Sequence, residues 1–403
     1  MMPKRISALL ITIAAFCVAL DMSSAGAAAA VHGKHHAGKL AKASHKSAGH
    51  KKKVAAAPSL AITIKAPNDA PDFDYTGRIQ EAQDLLAKQP VQPGDMVVDS
   101  TGHLSQFTWL LAVGGKTGPL TVVRMDARGV NDKGLTITWP VDNFLNTKFH
   151  VAGTNGTIVF AQRRPVRART VTGWDEAVYT AYAPEFDTKK MRDAGMDYLR
   201  HLQRLAYNNI KKYDVRSRVR PGATVADQIP TDMVLRLMIT EHVDPLHMKF
   251  VGIEQCIHEV LVTLAANQDH AYAYARSSAG ALGLPQFMED SYQMVRVNYP
   301  KAPLEPSFDV GMTNLENAVL ASVLLLDLEL TELPHKTLKV VADSKTQFAA
   351  FLAAGYNRNP KRVAQTYRRT KSFTGGAVPF ENKMYVRIQS WVGGFLNKEY
   401  SIP

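Results

Sequence analysis

The stretch 277–292, SSAGALGLPQFMEDSY, sets Gly280, Gly283, two alanines and Pro285 around a single amide, Gln286. Glycines let a backbone approach a ligand closely. An amide both donates to and accepts from hydroxyls, so the combination suits a groove for a hydroxyl-rich ligand. A second stretch, TDMVLRLMITEHVDP, holds Glu241 at the end of an apolar stripe. Met233, Leu237 and Glu241 fall at i, i+4 and i+8, flanked by Val234 and Met238. Burial disfavours a carboxylate, and the negative end of a helix acts in the same direction. Both keep the carboxyl protonated near neutral pH, the state a general acid needs.

The 277–292 loop resembles the signature of the lytic transglycosylases, lysozyme-like enzymes that cut peptidoglycan. Their loop reads roughly S-x-x-G-A-x-G-L-x-Q-F-M-P-x-S-Y. Ser277, Gly280, Ala281, Gly283, Leu284, Gln286, Phe287, Met288, Ser291 and Tyr292 match, and Glu289 replaces the proline. FLAAGYNRNPKRV (351–363) resembles the family's A-A-Y-N-x-G-P-x-x-V segment through Tyr356, Asn357, Pro360 and Val363. There Gly355 reads as an insertion and Asn359 replaces glycine. VPFENKMYVRI (378–388) resembles P-x-E-T-x-x-Y-V through Pro379, Glu381, Tyr385 and Val386, with Asn382 for threonine. The three motifs stand in the family's order, and the resemblance spans residues 225–395.

The resemblance implies that one glutamic acid protonates the glycosidic oxygen of the MurNAc–GlcNAc β-1,4 bond. Its carboxylate then takes the proton of the muramyl C6 hydroxyl, closing a 1,6-anhydro ring. No second carboxylate, cofactor or metal is required. In the same reading Ser277 orients the acid, Gly280 shapes the groove, Gln286 and Tyr356 hold the sugar and the carboxyl, and Asn357 supports the cleft.

Two positions compete for the acid. In the shortest members of the family it precedes the S-x-x-G glycine by twelve residues, which lands on Gln268, a side chain with no proton to give. Glu241 is the other position, and EHVDP resembles the family's E-S-x-F-x-P, one residue shorter. Residues 247–270 are then a helical insertion with its own stripe of Ile253, Cys256, Ile257, Val260, Leu261 and Leu264. The patterning favours Glu241. Gln268 at the acid position would instead mean a catalytically inactive peptidoglycan-binding or scaffolding protein, and a lysozyme-type hydrolase is a third reading. Glu254 and Glu259 read as exposed faces of the inserted helix. His242, His247 and His258 have no compact ligand spacing and read as core or surface histidines.

The elements that must position these residues follow from patterning. Thr231 reads as the N-cap of the Glu241 helix, and Asp244 as a turn residue before Pro245. LENAVLASVLLLDLELTEL (315–333) reads as a core helix. TKKMRDAGMDYLRHLQRLAYNNIKKY is an amphipathic helix. β-Branched and aromatic runs between Pro93 and Thr170, separated by Gly, Asn and Asp turns, read as a small β-rich module. The expected class is α+β: an all-α lysozyme-like domain over 173–403 preceded by the β-rich module over 76–172.

Residues 1–30 read as a secretory signal peptide, with Lys4 and Arg5 before the apolar run ISALLITIAAFCVAL. Cys17 lies in that run, leaving Cys256 alone in the mature chain and no intramolecular disulfide. Residues 31–75 read as a disordered basic linker. Its 31–60 portion holds seven lysines, five histidines and no acid, within a chain of net charge +12. The expected location is the periplasm or cell envelope, with no membrane-spanning segment after cleavage. The expected partners are peptidoglycan strands and, through residues 31–60, anionic envelope polymers, not nucleic acid.

Overall fold

The computed structural model describes residues 73–92, 94–125, 130–132, 135–139, 143–152, 156–167, 174–375 and 378–402. The expected leader and most of the basic linker lie outside the described residues. Helix α1 (Tyr75–Ala87) starts on Asp74, whose carboxylate accepts from Thr76 N. It buries Tyr75, Ile79, Ala82 and Leu86.

The β-rich region contains β1 (Met96–Val98), β2 (Leu104–Phe107), β3 (Trp109–Gly114), β4 (Thr121–Met125), β5 (Val130–Asp132), β6 (Leu135–Thr138), β7 (His150–Ala152), β8 (Ile158–Arg167) and β9 (Trp174–Tyr179). Among the described residues all strand pairings are antiparallel. The largest sheet runs β4-β3-β8-β9, beside a β1-β2 pair and a three-stranded β5-β6-β7 sheet. Pro165 is tolerated in β8 because pairing with β3 ends at Arg163, leaving its donor-less nitrogen at an edge. β9 lies beyond the boundary expected at 172 and extends the module to Tyr179, so the helical part begins later than the sequence suggests.

The helical part follows as α2 (Lys189–Lys212), α3 (Val225–Gln228), α4 (Thr231–Thr240), α5 (Pro245–Val251), α6 (Ile253–Asn267), α7 (Glu289–Asn298), α8 (Phe308–Thr313), α9 (Leu315–Leu330), α10 (His335–Ala342), α11 (Lys345–Asn357), α12 (Pro360–Thr370) and α13 (Phe380–Tyr400). The α+β class is thus as the sequence predicts. α9 is buried nearly throughout, on every side, as expected of a central helix. α2 crosses α6 closely because residue 195 is glycine: a Cβ there would stand 1.9 Å from Leu261 O. The cap of α4 differs from expectation. Pro230 is the N-cap, with extended backbone, and Thr231 is the first helical residue. Asp244 is the N-cap of α5, accepting from Leu246 N.

The β-rich region and the helices share one core. Leu110, Phe160 and Phe186 pack with Met191 of α2 and Val262 and Ala265 of α6. Asn267 at the end of α6 clasps Thr180 both ways, its Oδ1 accepting from Thr180 N and its Nδ2 donating to Thr180 O, each at 2.8 Å. Among the described residues no helix is long and apolar enough to cross a membrane.

Candidate functional site

Glu241 is the C-cap of α4 and is only partly open to solvent. Met233, Val234, Leu235, Leu237, Met238 and Ile239 bury nearly the whole of the helix, which fixes where its last carboxyl emerges. Burial pushes that carboxyl from its ordinary 4.5 up to about 8, against the opposing effect of a hydrogen bond donated by Tyr385. Glu241 is therefore mostly protonated at neutral pH.

The neighbouring residue locks α4 to the 277–292 loop. His242 Nε2 donates to Leu284 O at 2.8 Å, and its ring stacks on Tyr272 with centroids 3.6 Å apart. Burial holds His242 down at about 4, so the imidazole is neutral and structural at working pH. Tyr356, near the end of α11, reaches the same loop and donates to Pro285 O at 2.7 Å. Its phenol is raised well above the usual value by burial and then by the nearby Glu241 and Glu329. Glu241, Tyr356 and Tyr385 thus form one cluster, drawn from α4, α11 and α13.

The loop holds its shape through its own polar groups. Gln286 sits in a left-handed backbone conformation, φ 47°, and its Nε2 donates to Ala275 O and Gly283 O at 3.1 and 2.9 Å. Half of the amide expected to hold a sugar is thus spent on the loop. Its Oε1 has no protein partner among the described residues. Ser277 Oγ accepts from Ala281 N at 3.0 Å, closing the turn. Ser277 makes no hydrogen bond to Glu241 in this arrangement; Tyr385 donates one instead. Gly280 and Gly283 both have positive φ. A Cβ on Gly283 would stand 2.5 Å from Met312 O, whereas one on Gly280 would meet nothing within 4 Å. Gly283 is a packing point against α8, and only Gly280 faces open space. Asn357 ends α11 half-buried.

Gln268 does not join the cluster. It lies exposed in the turn after α6, at φ 43°, between Asn267, bound to Thr180, and Asp269, which accepts from Tyr198 Oη at 2.6 Å. Glu254 is exposed, near Lys398 at 3.6 Å. Glu259 is half-buried rather than exposed, and it bridges Lys148 and His247, each at 2.9 Å. His258 stands 3.6 Å from Asp187.

One acid escaped the sequence reading. Glu329 on α9 is 3 % exposed, and its Oε2 has no hydrogen-bond partner among the described residues. Its neighbour on the helix, Asp327, shows the contrast. Ser217 Oγ, Arg218 N and Tyr299 Oη all donate to it, at 2.6, 2.7 and 2.8 Å. Burial alone raises Glu329 well above its usual value, so it stands neutral beside Tyr356 and Tyr385. Gly355 makes the room: a Cβ there would lie 2.5 Å from Glu329 Oε2. The glycine that reads as an insertion in the 351–363 motif is thus the counterpart of a buried acid.

The arrangement is chemically specific. A protonated carboxyl opens to solvent at a helix end, a tyrosine is poised to stabilise it once ionised, and a glycine-shaped loop borders it. Among the described residues no group of His, Cys, Asp and Glu side chains is placed to hold a metal ion. A scan against protein-family models matches none of them to this chain, and a search of curated proteins likewise finds no match.

Proposed function

We propose that the chain is an exported peptidoglycan lytic transglycosylase with Glu241 as its single acid and base. The observation that carries this reading is the Glu241 carboxyl, protonated to about pH 8 at the edge of the 277–292 loop and hydrogen-bonded by Tyr385. The order of the three motifs supports it. In the first half of the reaction Glu241 gives its proton to the glycosidic oxygen as the C1–O4 bond breaks. In the second, the muramyl O6 attacks C1 and its proton passes to the Glu241 carboxylate, restoring the acid. Tyr385 stabilises the carboxylate that exists between the two steps.

A paired-acid hydrolase needs a second carboxyl, ionised, as nucleophile or base. Glu329 is the other acid beside the tyrosines, and its burial keeps it neutral. That favours attack by the substrate's own hydroxyl over attack by water. The direct test is digestion of purified sacculi followed by mass spectrometry. The reading expects 1,6-anhydromuramyl ends; reducing muramyl ends would make the protein a hydrolase.

Tyr385→Phe provides a finer test. The hydroxyl lowers the Glu241 pKa, so its removal moves the alkaline limb of the pH–rate profile upward. It also removes the donor to the transient carboxylate, costing about 10²-fold in kcat. An unchanged alkaline limb would show that Tyr385 does not act on the titrating group.

A further inference from the structure

Between Leu333 and Val378 the chain carries nine Lys or Arg residues and one acid, Asp343. These residues make up α10, α11 and α12, which pack on one another beside α9. Some cations elsewhere in the helical part pair with acids, among them Arg236 with Asp232, Arg276 with Asp309 and Lys398 with Glu254. None of the nine forms an ion pair with any described residue.

The charge is concentrated on α12. Val363, Ala364 and Tyr367 face the core, and Tyr367 Oη donates to Gln347 of α11 at 2.6 Å. Lys361, Arg362, Arg368 and Arg369 are exposed together with Gln365, at positions that share one helical face. That face is about 12 Å long at 1.5 Å per residue. Like charges on one helix face repel and cost stability, so the arrangement asks for an anion from outside. The basic run is continuous with the candidate site: Arg358 follows Asn357 at the end of the helix that carries Tyr356.

We infer that the exposed face of α12 is a docking surface for the acidic stem peptides of the peptidoglycan strand held at Glu241. This inference rests on the transglycosylase reading and deepens it: the substrate is glycan with its peptides attached, not bare glycan. Peptide carboxylates are the anions such a strand presents, and arginine forks match them in pairs. Tyr356 and the loop hold the sugar chain, and α12, one turn of chain further on, meets what hangs from it.

The test compares wild type with a variant carrying Lys361→Gln, Arg362→Gln, Arg368→Gln and Arg369→Gln. Glutamine keeps helix propensity, and a thermal melt checks that the fold is intact. KM is measured on peptide-bearing strands and on strands stripped of peptides by an amidase. The wild type is expected to show a KM about tenfold lower on peptide-bearing strands, the scale of a few exposed charge pairs acting together. This advantage shrinks as salt rises. The variant is expected to lose it with kcat unchanged and to match wild type on stripped strands. Equal KM for the two proteins on peptide-bearing strands overturns the inference while leaving the site reading intact. Absence of product from every substrate overturns the site reading instead. Equilibrium binding to the same two kinds of strand then decides the surface without turnover, and equal affinity of wild type and variant for the peptide-bearing strands overturns it. Binding that follows added poly(glycerol phosphate), and ignores the peptides, also overturns it by assigning the face to a phosphate polymer.

Discussion

Glu241→Gln is expected to lower the rate of anhydromuramyl product formation by about 10²–10⁴-fold, the range for loss of a positioned general acid. The amide keeps the shape of the side chain and can still accept from Tyr385, so folding survives. The same substitution has a stability signature that does not depend on any substrate. A carboxyl whose folded pKa stands above its ordinary value contributes fully below that ordinary value and loses the contribution as pH rises toward the folded one. For Glu241 the window runs from 4.5 to about 8. Within it wild type loses stability relative to the glutamine variant by about 1.4 kcal/mol per pH unit. Denaturant melts should therefore diverge between pH 4.5 and pH 8, with Glu241→Gln increasingly the more stable protein. Parallel melts across that window would mean that the carboxyl titrates normally, and the candidate acid would be lost. Activity of the wild type, on the same grounds, should fall as pH passes about 8.

The burial of Glu241 was legible because it rests on local pattern. The apolar stripe of 233–238 dictates burial, and burial dictates protonation. The core role of α9 was legible for the same reason. What pattern could not show is how polar groups are shared out after the helices meet. Gln286 and Ser277 stand at motif positions, yet their hydrogen bonds go to the loop's own backbone. The partner of Glu241 comes instead from Tyr385, far along the chain on α13. Glu329 was hidden inside LLLDLELTEL, where a helical acid reads as a solvated edge. Its burial depends on Gly355 lying opposite, a packing relation between α9 and α11. The departure of Gly355 from the motif was the available signal. Boundaries suffered similarly: β9 is short and mixed in polarity, with burial set by its pairing to β8, not by its own composition.

Replacing Gly283 by valine is expected to destabilise the fold by about 2–6 kcal/mol, combining strain at positive φ with overpacking. Its φ is 79°, and a Cβ would stand 2.5 Å from Met312 O, a backbone atom that cannot swing away. Gly280→Val isolates the first of these effects. Its φ is 92°, but a Cβ there meets nothing within 4 Å, so strain alone applies, about 1–3 kcal/mol. The two variants should differ in kind as well as size. Gly283→Val lifts the loop from α8 and loosens the anchors at Leu284 and Pro285, which hold His242 and Tyr356. Its activity should fall with the folded fraction, and folding should restore both together at low temperature. Gly280→Val leaves those anchors in place and puts a side chain on the open side of the loop, so beyond its smaller loss of stability its cost should appear as a raised KM in the folded protein. Denaturant melts and steady-state kinetics on the same preparations separate the outcomes. Equal destabilisation by the two substitutions would show that the approach of the loop to Met312 does not hold the site together. A normal KM for Gly280→Val would move the substrate groove away from the outer side of the loop.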